Sequence, residues 1–403
     1  MGPGARTARR GGDEGVAAGR GPTVAAVAGA GAVNAVCLLP LFLTAALAVQ
    51  LRAELGFGPA ALGVAVATFL GAAAAASVPL GRLAQRVGPG RGLRVAAAVS
   101  AVCTLGIAAT AGSLATLLPW LALAGTALSL GESSGNLSLA ERVRGERLGL
   151  AFGFKQSASP VASLAAGLAV PFVALTIGWR AAFVGAAGLA VLAAVLLASG
   201  PPVAARTAHR PSPGRGRGLL LLTIAGGSGF AAATALSTFI VDAAVTGGVP
   251  AGGAGLLLAV ASLAAVGARL VLGAVADRRS DRQFGVVAAM MALGTVGYVL
   301  LAVGGTPLTV AGALVAYGLG YGWSGLFFFS VARLDPVGAG SASGVVLTGG
   351  FLGSLLGPLV VGGLAERWSY SAGWIACACA MVLAAFATLV VHRRQTRRVP
   401  AAL

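Results

Sequence analysis

Three ionisable residues stand in otherwise apolar surroundings: Glu132, Lys155 and Arg269. Lys155 is the only lysine in 403 residues, within the stretch AFGFKQSASP. A charge inside an apolar span is costly, so such residues read first as groups that hold an ion, bind a charged solute or carry a proton. Glu132 belongs to a polar series with Thr126, Ser129, Ser133 and Asn136, whose spacing puts all five on one helical face. Phe152, Lys155, Gln156, Ser159 and Ser163 form a second stripe. Such stripes point at a water-filled cavity or a neighbouring helix, not at lipid. The segment 140–147 joins the two, and Glu132 and Lys155 are equally far from its centre. An antiparallel hairpin therefore sets both at one depth, about 17 Å of helix from the turn, where they can pair. Arg269 falls near the same depth on another helix. The chemistry this suggests is two cations bracketing a small organic anion, with Glu132 as counter-ion. Protonating Glu132 would free Lys155, and the freed cation would hold a carboxylate. The plain alternative is a static Glu132–Lys155 pair with Arg269 reaching to the membrane surface.

The elements that must position these groups are membrane helices. The chain is 57% hydrophobic and 10% charged, with mean hydropathy +0.91, whereas about a quarter of residues are charged in soluble domains. Twelve apolar runs can each cross a bilayer, roughly 24–50, 60–81, 93–112, 115–139, 148–173, 181–199, 218–241, 254–275, 284–304, 308–332, 342–364 and 373–391. Backbone groups in lipid must be satisfied internally, so these are helices; the short alternating segments of a β-barrel are absent. The net charge of +17 does not indicate nucleic acid, because the arginines cluster in short gaps between apolar runs. They collect on alternate gaps, on the side of both termini, while the opposite side keeps only Arg52, Arg180 and Arg367. The positive-inside rule makes that a multi-pass protein with both termini cytoplasmic; the Ala/Gly/Arg-rich composition is that of a GC-rich bacterium, which implies the plasma membrane. Trp179, Trp368 and Trp374 are then expected in an outer aromatic belt.

The expected organisation is a disordered cytoplasmic N-terminus (1–22), a six-helix bundle (23–199), a Pro/Gly/Arg-rich linker (200–217), a second bundle (218–391) and a cytoplasmic tail (392–403). The halves look alike. GRLAQR at 81–86 recurs as GAVADR 192 residues later, and Gly178-Trp179 recurs as Gly373-Trp374. Two parallel six-span repeats mark one class of secondary transporter.

On these residues the chain resembles the major facilitator superfamily of transporters, from about 23 to 392. The most specific element is the loop after span 2, which in the family reads G-x-x-x-D-R-x-G-R-R. Here Gly81, Arg86, Gly88 and Arg91 match, while Gln85 stands where the family has Asp. The second half keeps Gly273, Asp277 and Arg278. The resemblance implies an all-α membrane fold of twelve helices in two pseudo-symmetric bundles, with this loop latching the cytoplasmic side; Gln85 implies a weaker latch. Gly178-Trp179-Arg180 resembles the family's junction of spans 5 and 6. The series Gly344, Gly353, Gly357 and Pro358 in span 11 reads physically as close helix packing with a proline bend. The family's cavity-lining spans would here offer Asn34 in span 1 and Tyr317, Tyr321 and Trp323 in span 10.

The expected function is alternating-access secondary transport of a small organic anion or similar metabolite, coupled to protons, by a monomer in the lipid bilayer. Export of neutral or hydrophobic compounds is one alternative, and a non-transporting membrane receptor or sensor another. No enzyme is expected, since the spans hold no histidine and no nucleophile–base set. No metal or other cofactor is expected either: Cys37, Cys103, Cys377 and Cys379 all lie in apolar runs, and C-x-C on a helix is poor metal geometry. A Walker motif is lacking.

Overall fold

The computed structural model describes residues 20–142, 154–197, 217–276, 283–334 and 339–396. Among them there is no strand. Span 1 is Arg20–Ala46, continued beyond Leu47 by Ala48–Leu55. Spans 2 to 4 are Pro59–Val87, Pro89–Thr110 and Leu114–Arg142. Span 5, Phe154–Ile177, contains Ala158–Ala169 and then a π turn, Val170–Ala174, at Pro171. Span 6 is Trp179–Leu196. Spans 7 to 9 are Arg217–Thr246, Ala251–Ala276 and Gln283–Val303. Span 10 is two helices, Thr306–Gly318 and Ser324–Leu334. Spans 11 and 12 are Ala339–Arg367 and Tyr370–Thr396. Eleven of these helices are long and apolar enough to cross a membrane; the first piece of span 10 is too short alone. The fold is two six-helix bundles.

Boundaries differ from the sequence expectation at both ends. The first helix already includes residues 20–22, and the last runs on to Thr396. Nearly all of the linker, residues 198–216, lies outside the described residues. Two tight turns need glycine: Gly88 (φ 83°) lets Pro89 open span 3, and Gly178 (φ 101°) turns span 5 into span 6.

Alternating helices define two ends, a terminal end with residues 20 and 396 and the turn at Gly88, and a far end with the turns near 56–58, 178, 247–250 and 368–369. Lipid supplies no hydrophobic drive between helices, so packing depends on small residues that let backbones approach. Gly353 and Gly357 of span 11 lie against the Gly227 and Ala231 carbonyls of span 7. The halves meet chiefly at two seams, span 2 on span 11 and span 5 on span 8, with a smaller contact of span 1 on span 7. The seams repeat each other. Gly63 of span 2 faces the Pro358 carbonyl, and Gly255, 192 residues later in span 8, faces the Gly167 carbonyl.

The expected tryptophan belt is a correction. Trp179 and Trp374 are buried within the protein, and only Trp368 is exposed. The Trp179 indole donates to Glu54 Oε2 (2.5 Å) and its ring meets Phe183 edge-on, so a protein partner has replaced the membrane interface.

Candidate functional site

A cavity of about 280 Å³ lies between the halves, near the small end for ligand sites. Asn34, Glu132, Asn136, Gln156, Ser159, Arg269 and Tyr321 give its polar wall; Leu38, Leu41, Phe42, Phe230, Phe328 and Phe351 are among its apolar lining.

Lys155 Nζ donates to Glu132 Oε2 and, at 2.7 Å, to Asn136 Oδ1. Spans 4 and 5 thus bring together three residues that their stripes set on facing sides. The pair is lopsided. The Lys155 side chain is 5% exposed and does not line the cavity, whereas that of Glu132 is 32% exposed and does. In this arrangement the carboxylate fronts the cavity and the ammonium sits behind it, held twice.

Arg269 does not reach for the surface. It is buried and turned into the cavity. Its Nη1 donates to the Gln156 carbonyl (2.6 Å) across the halves, and its Nη2 to the Tyr321 carbonyl (3.1 Å). The guanidinium lies over the Tyr321 ring, 4.6 Å from the centroid. Its Nε is buried without a partner, as is Asn34 Oδ1. No carboxylate among the described residues pairs with Arg269.

The aromatic residues divide by task. Tyr321 fronts the cavity and its hydroxyl bonds Ser159 of the other half. Tyr317 is buried behind it, edge-on to Tyr321, with its hydroxyl 3.5 Å from Ser163 Oγ. Trp323 is also buried. It closes the interruption of span 10 by donating Nε1–H to the Gly320 carbonyl (2.8 Å), and it packs on Phe230 and Phe327. Tyr317 and Trp323 thus support the wall without lining it.

Of the loop motif, Gln85, Arg86 and Arg91 are exposed at the terminal end, Gly88 makes the turn, and a Cβ at Gly81 would lie 3.6 Å from Ser133 Oγ. Gly273 lies in span 8; Asp277 and Arg278 lie outside the described residues.

Sequence reasoning missed a cluster at the far end. Asp242 of span 7, buried, accepts from Arg52 Nη1 of span 1 and from the Tyr370 hydroxyl of span 12. Nearby, Glu366 Oε2 of span 11 accepts from the Ala60 N–H (2.7 Å) in the first turn of span 2, placing a carboxylate of one half on a helix N-terminus of the other. Both contacts close the far end across the halves. A signal was available: Arg52 and Asp242 are 190 residues apart, close to the repeat distance, so they cap equivalent helices.

The model of the Major Facilitator Superfamily matches residues 25–345. The chain belongs to that family. Its members are transporters and not enzymes. Human monocarboxylate transporter 11 is 34% identical over 270 residues, 60% of this chain and 55% of that protein; the match thus spans about half the length of that relative. Two solved structures of a bacterial homologue of the human lysosomal transporter Spinster share the fold at 13% identity. The inward-facing, unoccupied form has a TM-score of 0.68 over 95% of this chain and 100% of that one. The inward-facing, occupied form has 0.70 over 93% and 96%.

Proposed function

We propose that the protein is a proton-coupled secondary transporter of small organic anions, monocarboxylates first. The observation that carries this is Arg269, a buried cation with no carboxylate partner among the described residues, facing a small cavity that also fronts Glu132. Arg269 holds the anion and Glu132 carries the proton, while Lys155, itself held by Asn136, keeps the Glu132 carboxylate in place. That the human relative is a monocarboxylate transporter by name supports the substrate class. The bundles 23–199 and 218–391 rock about the cavity, and the closed far end with the cavity between the halves is one stage of that cycle. The arginine distribution supports cytoplasmic termini in the plasma membrane.

The test is proton movement. Purified protein in vesicles carrying a pH dye is given pyruvate, acetate and benzoate. The wild type should show anion-dependent proton uptake; Arg269→Gln should lose it, and Glu132→Gln should move the anion without the proton. Lys155→Gln should lower the rate. No signal with any anion would sink the reading. The apolar lining of Leu38, Leu41, Phe42, Phe230, Phe328 and Phe351 favours a second one, export of neutral hydrophobic compounds, which efflux of an uncharged dye from the same vesicles would reveal.

A further inference from the structure

The seam between spans 5 and 8 is held at a backbone carbonyl that the sequence deprives of its helical donor. Gln156 lies four residues before Pro160. Proline has no N–H, so the α-helical bond to the Gln156 carbonyl cannot form. Arg269, from the other half, donates there instead at 2.6 Å. Its other amino group holds the Tyr321 carbonyl, which the interruption of span 10 leaves open at 3.1 Å. One guanidinium thus bridges two carbonyls from the two halves, while its Nε is buried without a partner and the residue lines the cavity.

We propose that Pro160 is a positioning residue acting through Arg269: it frees the Gln156 carbonyl to park the arginine across the seam, and an entering carboxylate competes for that arginine. The proposal rests on the reading of Arg269 as the anion-binding group. A carboxylate brings a full negative charge that a carbonyl lacks, and its two oxygens can engage the guanidinium as a fork. The carboxylate therefore draws Nη1 from Gln156, and the seam between spans 5 and 8 loosens. Anion binding and opening of the terminal end become one event, with no moving part beyond a side chain changing acceptors. Ser159–Tyr321 and, one turn further along span 5, Ser262–Ser163 (2.9 Å) are further polar contacts between the halves here, and they remain to limit the opening.

Pro160→Ala restores the N–H without added bulk, in a helix that tolerates alanine well. Spin labels go on Val161 and Val271, exposed on spans 5 and 8 at 43% and 62%. The background is Cys379→Ser, since Cys37, Cys103 and Cys377 are buried. Without ligand, the label-to-label distance should be longer and broader in Pro160→Ala than in the parent. Pyruvate should lengthen it in the parent and add little in the variant. Pyruvate should also bind the variant about three- to tenfold more tightly, because one amino group is already free. A merely structural proline would leave that affinity unmoved, and thermal unfolding at or above the parent's temperature establishes that the variant is folded. Identical ligand-free distances with unchanged affinity overturn the proposal. Pyruvate binding to neither protein, with the ligand-free distances still different, supports the positioning by Pro160 and overturns the anion reading instead.

Discussion

Moved along by 192 residues, the ends of span 4, Leu114–Arg142, fall on those of span 10, Thr306–Leu334. The same shift carries Ser129 to Tyr321, Glu132 to Ser324 and Asn136 to Phe328, and all six line the cavity. Yet span 4 is one continuous helix, whereas span 10 is interrupted between Gly318 and Ser324. The two copies put polarity into a membrane cavity by different routes. Span 4 keeps its main-chain bonds and carries a charged side chain, balanced by Lys155 of the next span. Span 10 carries no charge at the matching place; it opens its main chain and lends a carbonyl to Arg269. Polar side chains and interrupted helices are thus interchangeable means of wetting a helical wall, provided each freed group finds a partner within the protein.

Removing the charge partner should break that comparison most strongly. Glu132→Leu leaves the Lys155 ammonium buried with Asn136 alone and should cost about 3–5 kcal/mol, read by unfolding in detergent; Glu132→Leu with Lys155→Met should recover most of it. An undiminished single variant would mean that the span 4 charge does not need span 5. Next comes Gly125 of span 4, which lies on the Phe69 carbonyl of span 2 where span 10 has Tyr317. Gly125→Leu should cost about 1–3 kcal/mol through overpacking, again by unfolding. A smaller effect belongs to Tyr321→Phe, which keeps the ring under Arg269 and the carbonyl but loses the Ser159 bond, about 1 kcal/mol. Tyr321→Leu should lose about 0.5–2 kcal/mol more with the ring; equal losses in the two variants would remove the ring from the account.

The smallest effect calibrates the buried pair against an exposed one. Glu54, at the far end, accepts from the Trp179 indole and from Arg180, both at 2.5 Å, and these bonds hold its carboxyl below the usual glutamate value. A lowered folded pKa contributes stability that is present above the unfolded value. That stability fades as the pH falls below the ordinary glutamate range and through the lowered value. Glu54→Gln should therefore flatten the acid limb of a stability–pH curve slightly and leave neutral pH almost unchanged. With both side chains of the Glu54–Arg180 pair about 45% exposed, solvent screens most of the interaction.

The twelve apolar runs and the repeat were legible because lipid constrains each span locally: length, hydropathy and arginine placement need no tertiary information. The shared depth of Glu132 and Lys155 follows from helix rise alone. Which of the two fronts the cavity does not, since it depends on side-chain direction and on Asn136 as a second acceptor. The interruption of span 10 had a sign in Gly318, Gly320 and Gly322, poor helix formers in close succession, but hydropathy averaged over a whole span hides it. The destination of Arg269 was hidden for a related reason, because its acceptors are main-chain carbonyls that Pro160 and the interruption release. Trp179 was misplaced because a belt position and a buried indole bonded to Glu54 look alike in sequence.

The glycines at the two seams bear on how fast the far end can part. Gly63 lays its backbone on the Pro358 carbonyl, and Gly255 on the Gly167 carbonyl beside the Val170 Cβ, with no side chain of their own reaching across. Such smooth faces separate without any rotamer having to change, so they add little friction to the motion. The hold on the far end then resides at its rim, where Arg52 and Tyr370 share Asp242 and Glu366 grips span 2: a clasp on an otherwise unbuttoned edge.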